Sequence, residues 1–330
     1  MRSVGGASIV LRRSSLLIAI LLLVGASSGA ESAFGARIAD WEMNERAGAG
    51  TMHDSSGTGL NGAIGSAVVT GVVTDGATGY KWLSTNRSGV HTERLIRVDS
   101  SLLNPGIADF TFIMRFKTSS FGDQNIVQKG QAKTGGGQWK IAIKQGKIVC
   151  NFLGVVHRSA VWSNETIADN NWHTVRCDRR TTGVTITIDG GKPKTNHTWT
   201  GSISNTWPVA IGGKPKCDGG VTVGCDYYVG LIDRVVIARS QCDGVAATMT
   251  GTSGADELVG TPDRDVIVGN GGADEISGLG GNDLICAGAG KDQIEGNAGN
   301  DVLRGGAGFD SGFGGRGADA CISVELARSC

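Results

Sequence analysis

The chain of 330 residues is poor in proline and aromatics and carries no net charge. Only 5 prolines accompany 54 glycines, which excludes a collagen-like repeat or a Pro-rich linker as the source of the glycine excess. Basic and acidic residues number 31 each, so no global field points toward nucleic acid or an anionic membrane. Hydrophobic residues at 40% and charged residues at 19% are globular values and exclude a wholly disordered chain. There is no C-x-x-C pair and no paired-His spacing, which argues against zinc. No apolar run reaches the roughly 20 residues of helix needed to span a bilayer. Glycine at about 16%, more than twice its usual share, is what remains to be explained.

The longest apolar run, Leu16 to Ala26, follows a basic start at Arg2, Arg12 and Arg13. Ser28 and Ala30 then stand at the minus-three and minus-one positions of a small-residue cleavage site. Residues 1–30 are expected to be a secretory signal peptide rather than a membrane anchor, and the mature protein to be extracellular. Without its three arginines, 28 basic residues face 31 acidic ones, a net charge of −3. All 8 cysteines lie beyond this segment, and an even number in an exported chain predicts disulfides rather than catalytic thiols. The pairings expected are Cys150 with Cys177 across neighbouring strands, Cys217 with Cys225 around a Gly-rich loop, Cys242 with Cys286, and Cys321 with Cys330.

Part of the glycine belongs to a nine-residue period that runs from Gly251 to Ile322. The eight units are GTSGADELV, GTPDRDVIV, GNGGADEIS, GLGGNDLIC, AGAGKDQIE, GNAGNDVLR, GGAGFDSGF and GGRGADACI, and they hold 20 of the 54 glycines. Position six is always aspartate: Asp256, Asp265, Asp274, Asp283, Asp292, Asp301, Asp310 and Asp319. Position eight is aliphatic in the first six units, at Leu258, Ile267, Ile276, Ile285, Ile294 and Leu303, then becomes Gly312 and Cys321. Glycine lets the backbone turn tightly at positive φ and leaves its carbonyls open, and the residues after each Asp suffice for a short strand. One unit cannot bury its aliphatic alone, so units must stack into a thin continuous core. Stacking also aligns the carboxylates in a segment with 12 acidic and 4 basic residues, net −8, which would repel itself without a cation. Carboxylate and carbonyl oxygens suit a hard ion with six to eight oxygen ligands, which is Ca²⁺.

These units resemble the repeats-in-toxin nonapeptide G-G-x-G-x-D-x-U-x, which forms a parallel β-roll that binds Ca²⁺ between turns. The resemblance implies that two nonapeptides make one coil, that unit n stacks on unit n+2, and that paired aspartates share up to six ions. The middle units fit best, favouring Asp274, Asp283, Asp292 and Asp301. Pro262 and Asp263 in the second unit, Ala287 in the fifth and the missing aliphatics of the last two depart from the pattern, marking end units as caps or weaker sites. The repeat reports Ca²⁺-driven folding and not toxicity.

Residues 34–241 read differently, as short alternating strands broken by Gly, Asn and Asp. Phe110, Phe112, Met114 and Phe116 alternate, as do Val184, Ile186 and Ile188, and Gln145-Gly146 fits a hairpin turn. The strings DWEMNERAGAGTMHDSSGTGLNG, DFTFIMRFK, NWHTVRCDRRTTGVTITIDG and GLIDRVVIARS occur in the order seen in laminin G-like, concanavalin A-like domains. The whole is therefore expected to be all-β: a two-sheet jelly-roll sandwich over 34–241, a parallel β-roll solenoid over 251–322 and a C-terminal cap over 323–330.

The resemblance implies a role in binding carbohydrate or protein, with a rim Ca²⁺ at Asp54 or Asp233; turn chemistry and a strand-edge contact are the alternatives for these two. All 7 tryptophans fall in this region. Burial is expected for most, whereas Trp162, Trp199 and Trp207 lie among Ser, Thr and Asn in expected loops and are candidate sugar platforms. Sequons at Asn86, Asn164 and Asn196 fit an exported surface. Laminarinase-type relatives carry E-x-D-x-x-E, which is absent here, as are a G-x-S-x-G elbow and an H-E-x-x-H helix. The 5 histidines are scattered, and His173 in NWHTV belongs to the strand signature. A non-catalytic, Ca²⁺-dependent protein that binds a glycan or surface protein is thus expected, with a glycan hydrolase or lyase of dispersed carboxylates as the alternative.

Overall fold

A computed structural model describes residues 36–83, 91–131, 135–214, 225–243, 245–252 and 254–330. The expected leader, Asn86 and the Cys217 end of the expected Cys217–Cys225 bridge lie outside them. Among the described residues the regular structure is β, apart from single 3-10 turns at Thr92–Arg94 and Ser101–Leu103.

Two antiparallel sheets of eight strands form the sandwich. In the first, Phe110–Lys117 lies between Trp172–Arg180 and Gly230–Arg239; in the second, Gln138–Lys144 lies between Gln124–Lys129 and Lys147–Leu153. Side chains on a strand alternate between faces, so Phe110, Phe112, Met114 and Phe116 all enter the core, where Phe110 and Phe112 pack on Trp139. Gln145 and Gly146, at φ 51° and 73°, make the predicted two-residue hairpin with Lys144 opposite Lys147. The Cys150–Cys177 bond forms, but its position differs from expectation: Cys150 and Cys177 lie in different sheets, so the bond crosses the core rather than joining neighbouring strands. The Cys242–Cys286 and Cys321–Cys330 bonds form as expected.

Parallel strands begin at Met249–Thr250 and end at Leu326–Arg328, in two five-stranded sheets. Ile276 pairs with Ile294 and Ile285 with Leu303, a register of 18 residues, so each coil uses two nonapeptides and unit n rests on unit n+2. Leu258, Ile267, Ile276, Ile285, Ile294 and Leu303 stack inside as the thin core. Where unit seven has Gly312, Val324 from the tail fills the space, its Cγ1 lying 3.0 Å from where a Cβ on Gly312 would stand.

Position seven of the repeat explains which side of the roll meets the sandwich. Glu257, Glu275 and Gln293 of one sheet are exposed. Val266 and Leu284 of the other are buried, with Val302 half-buried, in a second small core that includes Ala108, Cys242 and Ala247. The Cys242–Cys286 bond, an Arg304–Asp243 ion pair and Arg239 donating to the Ala247 carbonyl reinforce this junction.

Candidate functional site

The turns of the roll set one Asp from each nonapeptide at the same height on its coil. Asp256, Asp274, Asp292 and Asp310 line one side, and Asp265, Asp283, Asp301 and Asp319 the other. On each side the backbone N–H of one Asp donates to Oδ1 of the Asp 18 residues on, from Asp256 to Asp274 at 2.9 Å through Asp301 to Asp319 at 2.9 Å. The first side ends on Glu325, whose Oε2 accepts the Asp310 N–H at 2.7 Å. Glu325 escaped the sequence reading because it falls 15 residues after Asp310, out of phase with the period.

Oδ1 is therefore structural, and Oδ2 is the atom with chemistry to offer. In Asp274, Asp283, Asp292, Asp301, Asp310 and Asp319 it is buried without a hydrogen-bond partner. A buried acceptor left unpaired is costly, more so when charged, and its chemistry suits a cation as partner. The opening residue of each unit, glycine in seven of the eight and Ala287 in the fifth, lies beside it. A Cβ on Gly269 would stand 2.6 Å from Asp274 Oδ2 and 2.2 Å from the Ala287 carbonyl oxygen of the next coil; one on Gly278 would stand 2.3 Å from Asp283 Oδ2 and 2.9 Å from the Gly296 carbonyl oxygen. Beside Gly269 and Gly278 a carboxylate oxygen and a carbonyl oxygen thus converge, a donor set that fits Ca²⁺. Among the described residues no group of three or more His, Cys, Asp or Glu side chains is arranged to hold a metal ion by side chains alone. Burial, with the like charges of Asp301 and Asp265 adding to it, pushes the Asp283 carboxyl up to about 6. The carboxyls of Asp274, Asp292 and Asp301 are also raised, again first by burial.

The candidate rim residues of the sandwich behave otherwise. Asp54 accepts from the N–H groups of Asp40, Ser56 and Leu60 and the hydroxyls of Ser56 and Thr58, at 2.8 to 3.0 Å. These bonds outweigh burial, which acts to raise its pKa, and hold the carboxyl below its usual range. Five donors make it the hub of a turn. Asp233 sits at a bulge in its strand and pairs with Arg115, the strand contact given as its alternative. Burial raises its carboxyl despite that partner.

Trp162 closes the strand Arg158–Trp162 rather than occupying a loop and is 39% exposed. It lines an open cleft of about 500 Å³ with Asn164, Glu165, His173, Asp189 and Lys192. Trp199 and Trp207 lie elsewhere: Arg179 stacks over the Trp199 ring at 4.6 Å, and the Trp207 carbonyl accepts from Lys129. In the cleft, His173 Nδ1 is 2.7 Å from Asp189 and Nε2 3.0 Å from Asp169. Burial acts to lower the pKa of His173, but the two carboxylates outweigh it and the net shift is upward.

Residues 91–242 match the family model for the concanavalin A-like lectin/glucanases superfamily, and residues 250–285 and 287–320 match that for the RTX calcium-binding nonapeptide repeat. The sandwich strands from Ala36 to Trp82 precede the first match. No curated protein matches the chain. Similar solved structures include the binding domain of Paraclostridial Mosquitocidal Protein 1, at 14% identity and TM-score 0.44, covering 63% of this chain and 50% of that one. The botulinum neurotoxin serotype G binding domain has 16% identity and TM-score 0.44, covering 63% and 49%. Domains LG4-5 of the mouse laminin alpha1 chain have 15% identity and TM-score 0.37, covering 53% and 44%. The chain spans about half the length of the first two. Among the described residues no helix is long and apolar enough to cross a membrane.

Proposed function

From a concanavalin A-like domain followed by RTX calcium-binding nonapeptide repeats, we propose an exported, calcium-dependent binding protein whose sandwich recognises a glycan or an extracellular surface protein. The observation that carries the calcium half is the set of six buried, partnerless Oδ2 atoms. Asp274, Asp283, Asp292, Asp301, Asp310 and Asp319 would hold up to six ions, with carbonyls of the neighbouring coil. Bound Ca²⁺ supplies the positive charge and oxygen coordination that stacked carboxylates lack. The disulfides support export, since such bonds persist in oxidising compartments.

For the ligand half, the cleft beside Trp162 combines an exposed aromatic face with amide and cationic groups, the chemistry that stacks on and hydrogen-bonds a sugar. Asp189 within it is occupied, accepting from the Thr174 N–H at 2.7 Å and holding His173, which favours binding over cleavage by a carboxylate pair. The test is retention of the full chain on a panel of immobilised polysaccharides in Ca²⁺, beside Trp162→Ala. Retention without new reducing or unsaturated ends is expected, weakened about tenfold or more in the variant, which is roughly 1.4 kcal/mol. Release of such ends would establish the enzyme instead, and unchanged retention by Trp162→Ala would remove the cleft as the site.

A further inference from the structure

We infer that the first coil of the roll holds its shape without calcium, because Thr252 and Thr261 give its carboxylates the partners that the other six lack. The inference rests on the calcium reading above and divides the eight aspartates into two kinds. Asp256 Oδ2 accepts from the Thr252 N–H at 2.6 Å and its hydroxyl at 2.9 Å. Asp265 Oδ2 accepts from the Thr261 N–H at 2.7 Å and its hydroxyl at 2.9 Å. Asp265 Oδ1 takes the Thr248 hydroxyl at 2.7 Å, so both of its oxygens are satisfied. In the other six units this Oδ2 is the partnerless atom.

The backbone carries the same division. Position two has positive φ in every other unit: Asn270 74°, Leu279 70°, Gly288 114°, Asn297 74°, Gly306 106° and Gly315 106°. Thr252 and Thr261 are not among the described residues with positive φ. A β-branched side chain resists that region, so threonine keeps its turn in the shape that sends N–H and hydroxyl to the carboxylate. The hydroxyls also accept from Gly254 and Asp263 N–H at 3.1 and 3.2 Å, closing local turns of the kind Ser and Thr favour.

This coil also packs on the sandwich, as the second and third do through Leu284, Cys286 and Val302. Val266 and Val268 share the small core with Ala108, Cys242 and Ala247, and Thr250 Oγ1 accepts the Asp109 N–H at 3.4 Å. A calcium-independent first coil gives the later coils a fixed template on which to wind as ions arrive, so calcium-dependent order belongs to the coils beyond it.

Calcium uptake by the full chain, measured by equilibrium dialysis, tests this together with hydrogen exchange in EGTA. The wild type is expected to saturate at no more than six ions, one per partnerless Oδ2. Thr252→Gly/Thr261→Gly should take up more, by as many as two, while Thr252→Ser/Thr261→Ser should match the wild type. In EGTA, Val266–Val268 should stay protected while Val302–Gly308 and Ser311–Arg316 exchange. Equal uptake by the wild type and the glycine variant, or loss of protection at Val266–Val268 together with the later strands, would overturn the inference while leaving the calcium reading intact. No uptake by any form would overturn that reading and this one with it. If the glycine variant fails to fold, exchange in the wild type decides.

Discussion

Two oxygens of one side chain do different work in this roll. Oδ1 accepts from the backbone N–H ladder, and Oδ2 is the oxygen the proposed calcium would engage, so an amide at the same position separates the two roles. Asp283→Asn keeps an acceptor for the Asp265 N–H and removes the charge. We expect it to take up one ion fewer and to lose stability only in Ca²⁺, by about 2.7 kcal/mol where the ion is at a hundred times its dissociation constant. Calorimetric melts with and without EGTA check this; equal losses in both would make Asp283 purely structural. His173 is legible by the same reasoning, since Asp189 and Asp169 hold its proton against burial. Its folded pKa is raised, so its contribution is full below the ordinary histidine value near 6.5 and fades as pH rises through the folded value. Its NMR titration midpoint should lie above that ordinary value and fall in Asp189→Asn.

The glycines act between elements, where one coil's backbone lies against the next. Gly290 has φ 148°, and a Cβ there would stand 1.5 Å from the Gly272 carbonyl oxygen. Gly290→Ala should therefore cost about 2 kcal/mol or more of roll stability, read from urea melts in Ca²⁺, whereas a loss below about 0.5 kcal/mol would mean the coils do not approach so closely. At this scale much was legible from sequence. The nine-residue period fixed the coil, the phase of the aliphatics fixed its core, and Phe110 to Phe116 fixed a strand face. What escaped came from neighbours out of phase: Val324 beneath Gly312 and Glu325 beneath Asp310 break the period. Asp54 could not be settled by its own loop because the donor from Asp40, on the strand Ala36–Trp41, meets it only after folding. The alternation at position seven, Glu257, Val266, Glu275, Leu284, was present in the sequence, but its meaning depends on which sheet faces the sandwich.

For the whole molecule, neutrality is a sum of unlike parts. The 12 acidic and 4 basic residues of the repeats leave them at −8 inside a chain of zero net charge. The sandwich has a large apolar core and a disulfide across its sheets, whereas the roll has a ladder of single aliphatics and buried unpaired carboxylate oxygens. Calcium should therefore matter to one part far more than to the other. Thermal unfolding of the full chain, followed by calorimetry in millimolar Ca²⁺ and again in EGTA, tests this most directly. A roll transition that falls by tens of degrees or vanishes in EGTA, with the sandwich transition nearly unmoved, is the expected result; superimposable melts in the two buffers would contradict it.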